Sequence, residues 1–202
     1  MSLLKEQLEG FNVILGSGSP RRRELLEELG VSFTVDNPDI DECYPAGLKG
    51  AEIALFLADL KAKAYPTELI ADKTILITAD TIVCLNDEVI GKPDDEAHAF
   101  EILRSLSGET HNVITAVCLR NNSRKKLFYN ETKVSFKALS DEEINYYIQR
   151  YKPFDKAGAY GIQEWIGLIG IEKIEGSYFN VMGLPVHQLY DELQQFVAVT
   201  GK

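Results

Sequence analysis

The residues with the most chemical information lie at 16–23, where a Gly-Ser-Gly-Ser turn is followed by a proline and three arginines. A short apolar run before the turn predicts a buried strand, and residues 20–29 after it predict a helix. Ser19 is a suitable N-cap and Pro20 a suitable first residue for that helix. A helix N-terminus with free backbone N–H groups beside Arg21 favours an anion, and a phosphate chain is the anion we expect there.

Other interpretations of this turn stay open at the level of the sequence. Turns of this kind also join strands to helices in α/β proteins that bind nothing there. A Walker A loop needs Gly-Lys-Ser/Thr five residues after Gly16, and Arg21 stands at that position. The dinucleotide pattern G-x-G-x-x-G is broken by the same arginine. A phosphate site here would therefore be neither an ordinary P-loop nor a Rossmann turn.

Acidic residues in two segments could hold a metal ion or accept a proton. Asp80 lies inside the apolar β-prone run 75–83, where a carboxylate is costly unless it is paired, hydrogen-bonded or bound to metal. The alternative is a solvent-facing Asp at a strand end or bulge. Asp39, Asp41 and Glu42 add carboxylates in the loop after the second predicted strand, which could also be a solvated acidic turn. Two or three carboxylates with phosphate oxygens form a common type of Mg²⁺ site.

Lysines and one glutamine are further candidates for contacts with a nucleotide. Lys92 follows a predicted hairpin and precedes Pro93, which fixes the geometry of the turn. Lys61 lies on a predicted helix, where most lysines only face solvent. Gln163 lies in the Gly-rich, β-prone segment 157–174, and its amide could recognise the edge of a base. The alternative for Gln163 is an ordinary surface position on a twisted strand.

The predicted elements alternate between strands and helices. Strands are predicted at 13–15, 31–35, 74–85, 89–90, 113–120 and 128–137, and helices at 20–29, 51–65, 94–106, 140–151 and from Pro185 onward. Crossovers mixed with hairpins indicate an α/β fold with a mixed sheet. No linker separates independent folding units, so we expect a single domain over 1–202.

Composition limits the classes of function. The 202 residues are 45% hydrophobic and carry a formal net charge of −10, which argues against nucleic-acid partners and anionic membranes. Three widely spaced cysteines without a C-x-x-C pair indicate a reducing compartment. We find neither a secretory signal pattern nor an apolar run long enough to span a membrane. We therefore expect a cytoplasmic protein.

Taken together, ordered motifs along nearly the whole chain resemble the Maf family of nucleoside triphosphate pyrophosphatases. The motifs lie at 17–26, 79–83, 91–93, 106–111, 155–163, 175–178 and 181–185. The resemblance implies cleavage between the α- and β-phosphates of a nucleoside triphosphate with a divalent cation, Mg²⁺ or Mn²⁺. It also implies an elongated Maf- and ITPase-like fold, with a mixed β-sheet flanked by helices, two lobes with a cleft between them, and a homodimer.

The same resemblance assigns site residues. It implies Asp80 as the catalytic proton acceptor, although one sequence does not decide between a base and a metal ligand. It implies a metal site at Asp80 and Glu42. The residues that it implies for substrate binding and specificity are Ser17, Arg21, Lys61, Thr81, Lys92 and Gln163.

The form of segment 155–163 resembles the branch of the family that acts on dTTP and UTP, and modified pyrimidine nucleotides remain possible substrates. The main alternative is a nucleotide-binding regulator of septum formation or cell division without catalysis. A phosphotransferase would need a second acceptor substrate. Zinc chemistry is disfavoured because the three histidines lack ligand spacing.

Overall fold

The computed structural model describes residues 3–38, 40–71 and 73–200. Within these residues seven strands form one sheet in the order β2-β1-β3-β5-β6-β7, with β4 paired to β3. The strands are β1 (Asn12–Gly16), β2 (Thr34–Val35), β3 (Thr74–Leu85), β4 (Glu88–Ile90), β5 (Thr110–Arg120), β6 (Lys125–Phe136) and β7 (Ile171–Glu175). β1 runs parallel to β2 and β3, whereas β4 and β7 run antiparallel to β3 and β6. The sheet is therefore mixed, as predicted.

Helices flank the sheet. They are α1 (Leu4–Gln7), α2 (Pro20–Glu28), α3 (Ala51–Lys63), α4 (Glu96–Leu106), α5 (Asp141–Tyr151), α6 (Trp165–Gly170), α7 (Tyr178–Met182) and α8 (Val186–Thr200). Short 3₁₀ turns lie at Thr67–Leu69, Pro153–Asp155 and Ala157–Ala159. Across the described residues, no helix combines the length and the apolar character that a membrane span requires.

The sequence sets the starts of the main helices through side-chain caps. The Ser19 hydroxyl accepts a hydrogen bond from the Arg22 N–H before α2, and Asp95 accepts one from the His98 N–H before α4. Ser140 and Glu143 form the predicted capping box of α5. Because a cap satisfies backbone donors that the helix itself leaves free, these helices begin within two residues of their predicted starts.

The core lies along β3. Its residues from Thr74 to Asp80 are all buried. Helix α3 packs its buried residues Ile53, Ala54, Leu57, Ala58 and Ala62 into the core. The Thr78 hydroxyl donates to the Ala58 carbonyl at 2.7 Å, which ties β3 to α3. This contact fixes the helix next to the strand that carries Asp80.

The chain divides into two compact units. The first unit comprises 1–80, 115–130 and 183–202, and the second comprises 81–114 and 131–182. In the first unit, α1 packs against α8. In the second unit, α4 packs against α5 and α5 against α6. The prediction of one domain over 1–202 stays a prediction.

The β-prone prediction for 157–174 is wrong over most of its length. The structure has a 3₁₀ turn at Ala157–Ala159, then α6, and only Ile171–Glu175 forms a strand. Gly158 and Ala159 have φ of 72° and 56°, which a strand does not permit. These small residues are buried, and the side chain of Val83 lies next to Gly158. This tertiary packing overrides the local β-propensity of the segment.

Candidate active site

Strand order defines where the first unit can bind a ligand. β1 lies between β2 and β3, and the connections through α2 and α3 lead to strands on opposite sides of β1. In open α/β sheets, ligands bind outside the carboxyl ends of the strands at such a reversal of strand order. Gly16, the last residue of β1, is paired with Thr78 of β3, so Asp80 lies just past the carboxyl end of β1.

Three of the predicted site residues meet at this edge. The Lys61 Nζ atom lies 2.5 Å from Asp80 Oδ1 and 3.0 Å from Glu42 Oε1. The side chain of Asp80 is 8% exposed and that of Glu42 is 44% exposed. Lys61 therefore joins a buried strand carboxylate to a loop carboxylate at the surface. Asp39 of the same loop lies outside the described residues.

A buried arginine adds a second positive charge. The Arg22 Nε donates to the Gly183 carbonyl at 2.8 Å, and its Nη1 donates to the Ser17 hydroxyl at 3.0 Å. Burial lowers the pKa of the Arg22 guanidinium, and the charges of Asp80 and Glu42 oppose that decrease. Arg22 thus belongs to the same electrostatic cluster as the two carboxylates, although it remains protonated.

Ser17 lies at the centre of the predicted anion turn. Its hydroxyl oxygen accepts hydrogen bonds from the Ser19 N–H at 3.3 Å and from Arg22. Both of these bonds use the oxygen of Ser17, so the hydroxyl hydrogen can still be donated to a ligand. Arg21 is half-buried on the first turn of α2, as its place after the N-cap predicts.

A cavity of about 260 Å³ opens beside these groups. It is lined by Gly16, Asn37, Pro38, Ile40, Glu42, Lys61 and Tyr65. The Tyr65 hydroxyl donates to the Asp36 carbonyl at 2.7 Å, and burial raises the pKa of Tyr65 to about 12. Tyr65 is therefore a neutral side chain of the cavity lining, held in place by this hydrogen bond.

The donor set fits a divalent cation that shares its coordination with a substrate. Asp80 and Glu42 both hold the Lys61 ammonium, so their oxygens converge on one cationic position. Within the described residues no group of three or more His, Cys, Asp or Glu side chains could hold a metal ion. Mg²⁺ is commonly bound by one or two carboxylates together with substrate phosphates and water, which is the set available here.

The remaining predicted site residues belong to the second unit. Thr81 follows Asp80 in β3 and is half-buried, and Lys92 is exposed in the segment before α4. Gln163 is exposed in a turn before α6, not in the strand that its surroundings predict. The Gly158 N–H donates to the Gly91 carbonyl at 3.1 Å, which links the segments that carry Lys92 and Gln163.

Sequence reasoning missed Arg22 and Tyr65. The helical periodicity of α2 contained the signal for Arg22, because its buried residues Arg22, Leu25 and Leu26 are spaced i, i+3, i+4 on one face. An arginine on the apolar face of a helix needs buried partners. No local signal identified Tyr65, whose role depends on the path of the loop that contains Asp36.

The fold is that of an α/β protein, and its candidate site lies at the carboxyl edge of parallel strands, where proteins of this class bind their ligands. Comparison with known families then gives the assignment: the chain belongs to the Maf-like protein family, whose model matches residues 12–196.

Curated relatives cover nearly the whole chain. A dTTP/UTP pyrophosphatase of Porphyromonas gingivalis is 51% identical over 95% of this chain and 97% of its own length. A protein of the same name from Phocaeicola vulgatus is 54% identical over 94% of this chain and 98% of its own. Among solved structures, the Staphylococcus aureus Ham1 protein covers 92% of this chain and 99% of that chain, with 15% identity and a TM-score of 0.44. That likeness is too distant to carry functional information.

Proposed function

We propose that the protein hydrolyses dTTP and UTP to the nucleoside monophosphate and pyrophosphate. The observation that carries this proposal is the shared name dTTP/UTP pyrophosphatase among relatives about half identical over at least 94% of the chain. The non-catalytic regulator of septum formation is not favoured, since those relatives carry the name of a hydrolase. Modified pyrimidine nucleotides belong to the same proposed substrate class.

The triphosphate would be held by cations around the first turn. A nucleoside triphosphate carries about four negative charges, and its cleavage requires that they be neutralised. Lys61 lines the cavity. The N-terminus of α2, the Arg21 guanidinium and the Ser17 hydroxyl follow directly after Gly16 of the cavity lining, and Lys92 is assigned by resemblance to the same task. At about 260 Å³ the cavity is smaller than typical whole-ligand pockets of ~300–1,000 Å³, so it suits the phosphate chain better than the entire nucleotide.

Asp80 would act on the attacking water. The water oxygen attacks the α-phosphorus, its proton passes to Asp80, and the bond from the α-phosphorus to the oxygen bridging to the β-phosphate breaks as pyrophosphate leaves. Lys61 would hold Asp80 in place and offset the negative charge near the phosphates. A Mg²⁺ or Mn²⁺ ion held by Asp80 and Glu42 would, when bound, polarise the α-phosphate. In that arrangement Asp80 is a metal ligand as well as, or instead of, a proton acceptor.

Base selection would rest on Arg21, Thr81 and Gln163. The Gln163 amide carries both a donor and an acceptor, which matches the adjacent donor and acceptor atoms of a uracil or thymine edge. We further propose a cytoplasmic homodimer that acts on free nucleotides, with neither nucleic acid nor membrane as a partner. The net charge of −10 supports the exclusion of nucleic acid.

Removal of the Asp80 carboxylate tests the proposal. Asp80→Asn keeps the size of the side chain, and we expect kcat for pyrophosphate release from dTTP and UTP to fall by about a hundredfold or more. Asp59→Asn is the matched control, because Asp59 is also paired with lysines, Lys125 at 2.6 Å and Lys63 at 2.8 Å, but lies outside the cavity lining. Circular dichroism checks that both variants fold.

The assay uses dTTP, UTP, CTP and GTP with Mg²⁺ or Mn²⁺, with and without a chelator. Products are identified as monophosphate and pyrophosphate. Near-normal release by Asp80→Asn would refute the catalytic assignment, and a wild-type protein that binds dTTP without turnover would favour the regulator. Undiminished turnover in chelator would remove the metal from the proposal.

A further inference from the structure

The turn that presents Gln163 is fixed at both ends. The Glu164 N–H donates to the Gly161 carbonyl at 3.0 Å, which makes 161–164 a tight turn with Gln163 exposed at its third position. Directly after it α6 begins, and the Gly167 N–H donates to the Glu164 carbonyl at 2.9 Å. The position of Gln163 therefore depends on what holds Gly161 and Glu164.

One buried hydroxyl holds both residues. Tyr147 of α5 is fully buried, and its hydroxyl accepts a hydrogen bond from the Gly161 N–H at 3.0 Å. The same hydroxyl donates to the Glu164 carboxylate Oε2. Burial is the first cause that raises the pKa of Tyr147, followed by its hydrogen bond to Glu164, so the hydroxyl keeps its proton and serves as the donor. Helix α5 thereby connects the two ends of the turn.

A buried lysine completes this cluster, which we name the Tyr147 network (Tyr147, Glu164 and Lys156). The Lys156 Nζ lies 3.3 Å from Glu164 Oε1 and 2.7 Å from Asp155 Oδ1. The side chains of Lys156 and Glu164 are only 9% and 18% exposed. A carboxylate at that depth is costly without a cation, and Lys156 supplies one.

Residue 161 has no room for a side chain while the Glu164 carboxylate keeps its position. A Cβ atom on Gly161 would lie 2.8 Å from the carboxylate carbon of Glu164, closer than real Cβ contacts. Residue 161 is therefore a glycine over which the Glu164 carboxylate packs. The neighbouring Ala159 has a φ of 56°, a conformation that costs energy in a residue with a side chain. Such a conformation persists only where the packing around the residue holds it in place.

A buried ion pair with a hydroxyl is a poor way to gain stability. Replacing such a group by well-packed apolar residues of similar volume often leaves the folded protein equally stable or more stable. A fully satisfied polar network instead fixes one geometry. In this second unit the geometry fixed by the network is the exposed turn that carries Gln163, the residue proposed above to read the base.

We propose that the Tyr147 network positions Gln163 and so sets the preference for pyrimidine nucleotides. Tyr147, Glu164 and Lys156 are positioning residues that act through Gln163 and do not touch the substrate. This inference rests on the proposed function, since it assigns selectivity at the same site.

The test compares two tyrosines of the same helix. Tyr147→Phe removes the hydroxyl and leaves the ring, which stacks on Tyr151 with centroids 5.1 Å apart. Tyr146→Phe is the control, because Tyr146 is 51% exposed and stacks edge-on against Trp165. We expect Tyr147→Phe to lower the ratio of kcat/KM for dTTP to that for GTP about tenfold, and Tyr146→Phe to leave it unchanged.

A double-mutant cycle with Gln163→Ala separates positioning from mere stability. If Tyr147 acts through Gln163, the change of selectivity on Tyr147→Phe disappears in the Gln163→Ala background. Glu164→Gln keeps an oxygen for the Tyr147 hydroxyl and loses the ion pair, so it should retain more selectivity than Glu164→Ala. An equal loss of activity on all nucleotides, or an effect of Tyr147→Phe that persists without Gln163, would overturn the inference.

Binding measurements keep this outcome distinct from failure of the proposed function. Calorimetry with non-hydrolysable dTTP and GTP analogues gives, for each variant, the ratio of the Kd for GTP to the Kd for dTTP, which falls as the preference for dTTP is lost, even if the wild-type protein shows no turnover. Absent turnover with a ratio lowered by Tyr147→Phe refutes hydrolysis and supports the positioning. Normal turnover with an unchanged ratio supports hydrolysis and refutes the positioning.

Discussion

A carboxylate in the middle of a buried strand requires a cation, and Lys61 is the cation that reaches Asp80. The pair lies at 2.5 Å with both side chains largely buried, so its loss would leave one charge without compensation. Glu42, in the loop after β2, contacts the same ammonium at 3.0 Å. Lys61 can therefore hold the two carboxylates together before any substrate or metal binds.

The contacts of Arg22 predict how its replacement by lysine changes stability and substrate binding. Its planar guanidinium donates at once to the Gly183 carbonyl and the Ser17 hydroxyl. The single ammonium of Arg22→Lys cannot reproduce both bonds, and a buried acceptor left without a partner costs about 1–3 kcal/mol. We expect urea denaturation to show a decrease of that size in the free energy of unfolding, with a higher KM for dTTP.

Arg23→Lys provides the matched control on the next position of α2. Arg23 is exposed, so its replacement should change the free energy of unfolding by no more than about 0.5 kcal/mol. Equal effects of the two substitutions would mean that the contacts of Arg22 with Gly183 and Ser17 do not contribute to stability.

Elements with local signals were predictable, and elements shaped by tertiary contacts were not. β3 is found at the predicted residues 74–85, because a long run of apolar and β-branched residues bounded by polar residues strongly favours a buried strand. The Ser19 cap predicted the start of α2, whereas anion binding at this turn stays a prediction. By contrast, the meeting of Asp80 with Lys61 depends on how α3 packs on β3, which no spacing in the sequence encodes. Segment 157–164 was missed because burial of Gly158 and Ala159 decides its conformation.

His111, the second residue of β5, predicts a pH dependence of the stability of the fold. His111 is 1% exposed, its Nε2 lies 2.7 Å from the Tyr160 hydroxyl, and burial lowers its pKa from 6.5 to about 4. Between pH 6.5 and 4 the unfolded chain binds a proton that the folded chain does not. Lowering the pH through this window therefore favours unfolding, by on the order of 3 kcal/mol in total.

Urea titrations at several pH values measure this contribution as the difference between wild type and His111→Phe. The phenylalanine can still pack against Phe136 and does not titrate, so the free energy of unfolding should depend less steeply on pH between 6.5 and 4. Replacing the exposed His187 with glutamine should leave the wild-type slope unchanged. Parallel pH profiles for wild type and His111→Phe would contradict the assignment.

At the scale of the whole molecule, an acidic chain must collect its cations locally to bind a polyphosphate. The formal net charge is −10, yet Arg21, Arg22 and Lys61 all belong to the small set of groups around one turn and one cavity. Under the proposed function, the global charge would oppose binding of long polyanions, while this local cluster would attract a free triphosphate. This contrast would favour a small anionic substrate over a large one.

The division into two units predicts how the chain unfolds. β3, β5 and β6 each begin in one unit and end in the other, so the loss of a strand removes hydrogen-bonding partners from both. We therefore expect one cooperative transition, although chains above about 150 residues often show intermediates.

Two buried thiols report the two units separately, Cys118 in the first and Cys84 in the second. In native-state thiol labelling read by mass spectrometry, both should react with the same free energy of opening and the same dependence on urea. Reaction of Cys84 at lower urea than Cys118 would instead mean that the second unit, with its Tyr147 network, opens on its own.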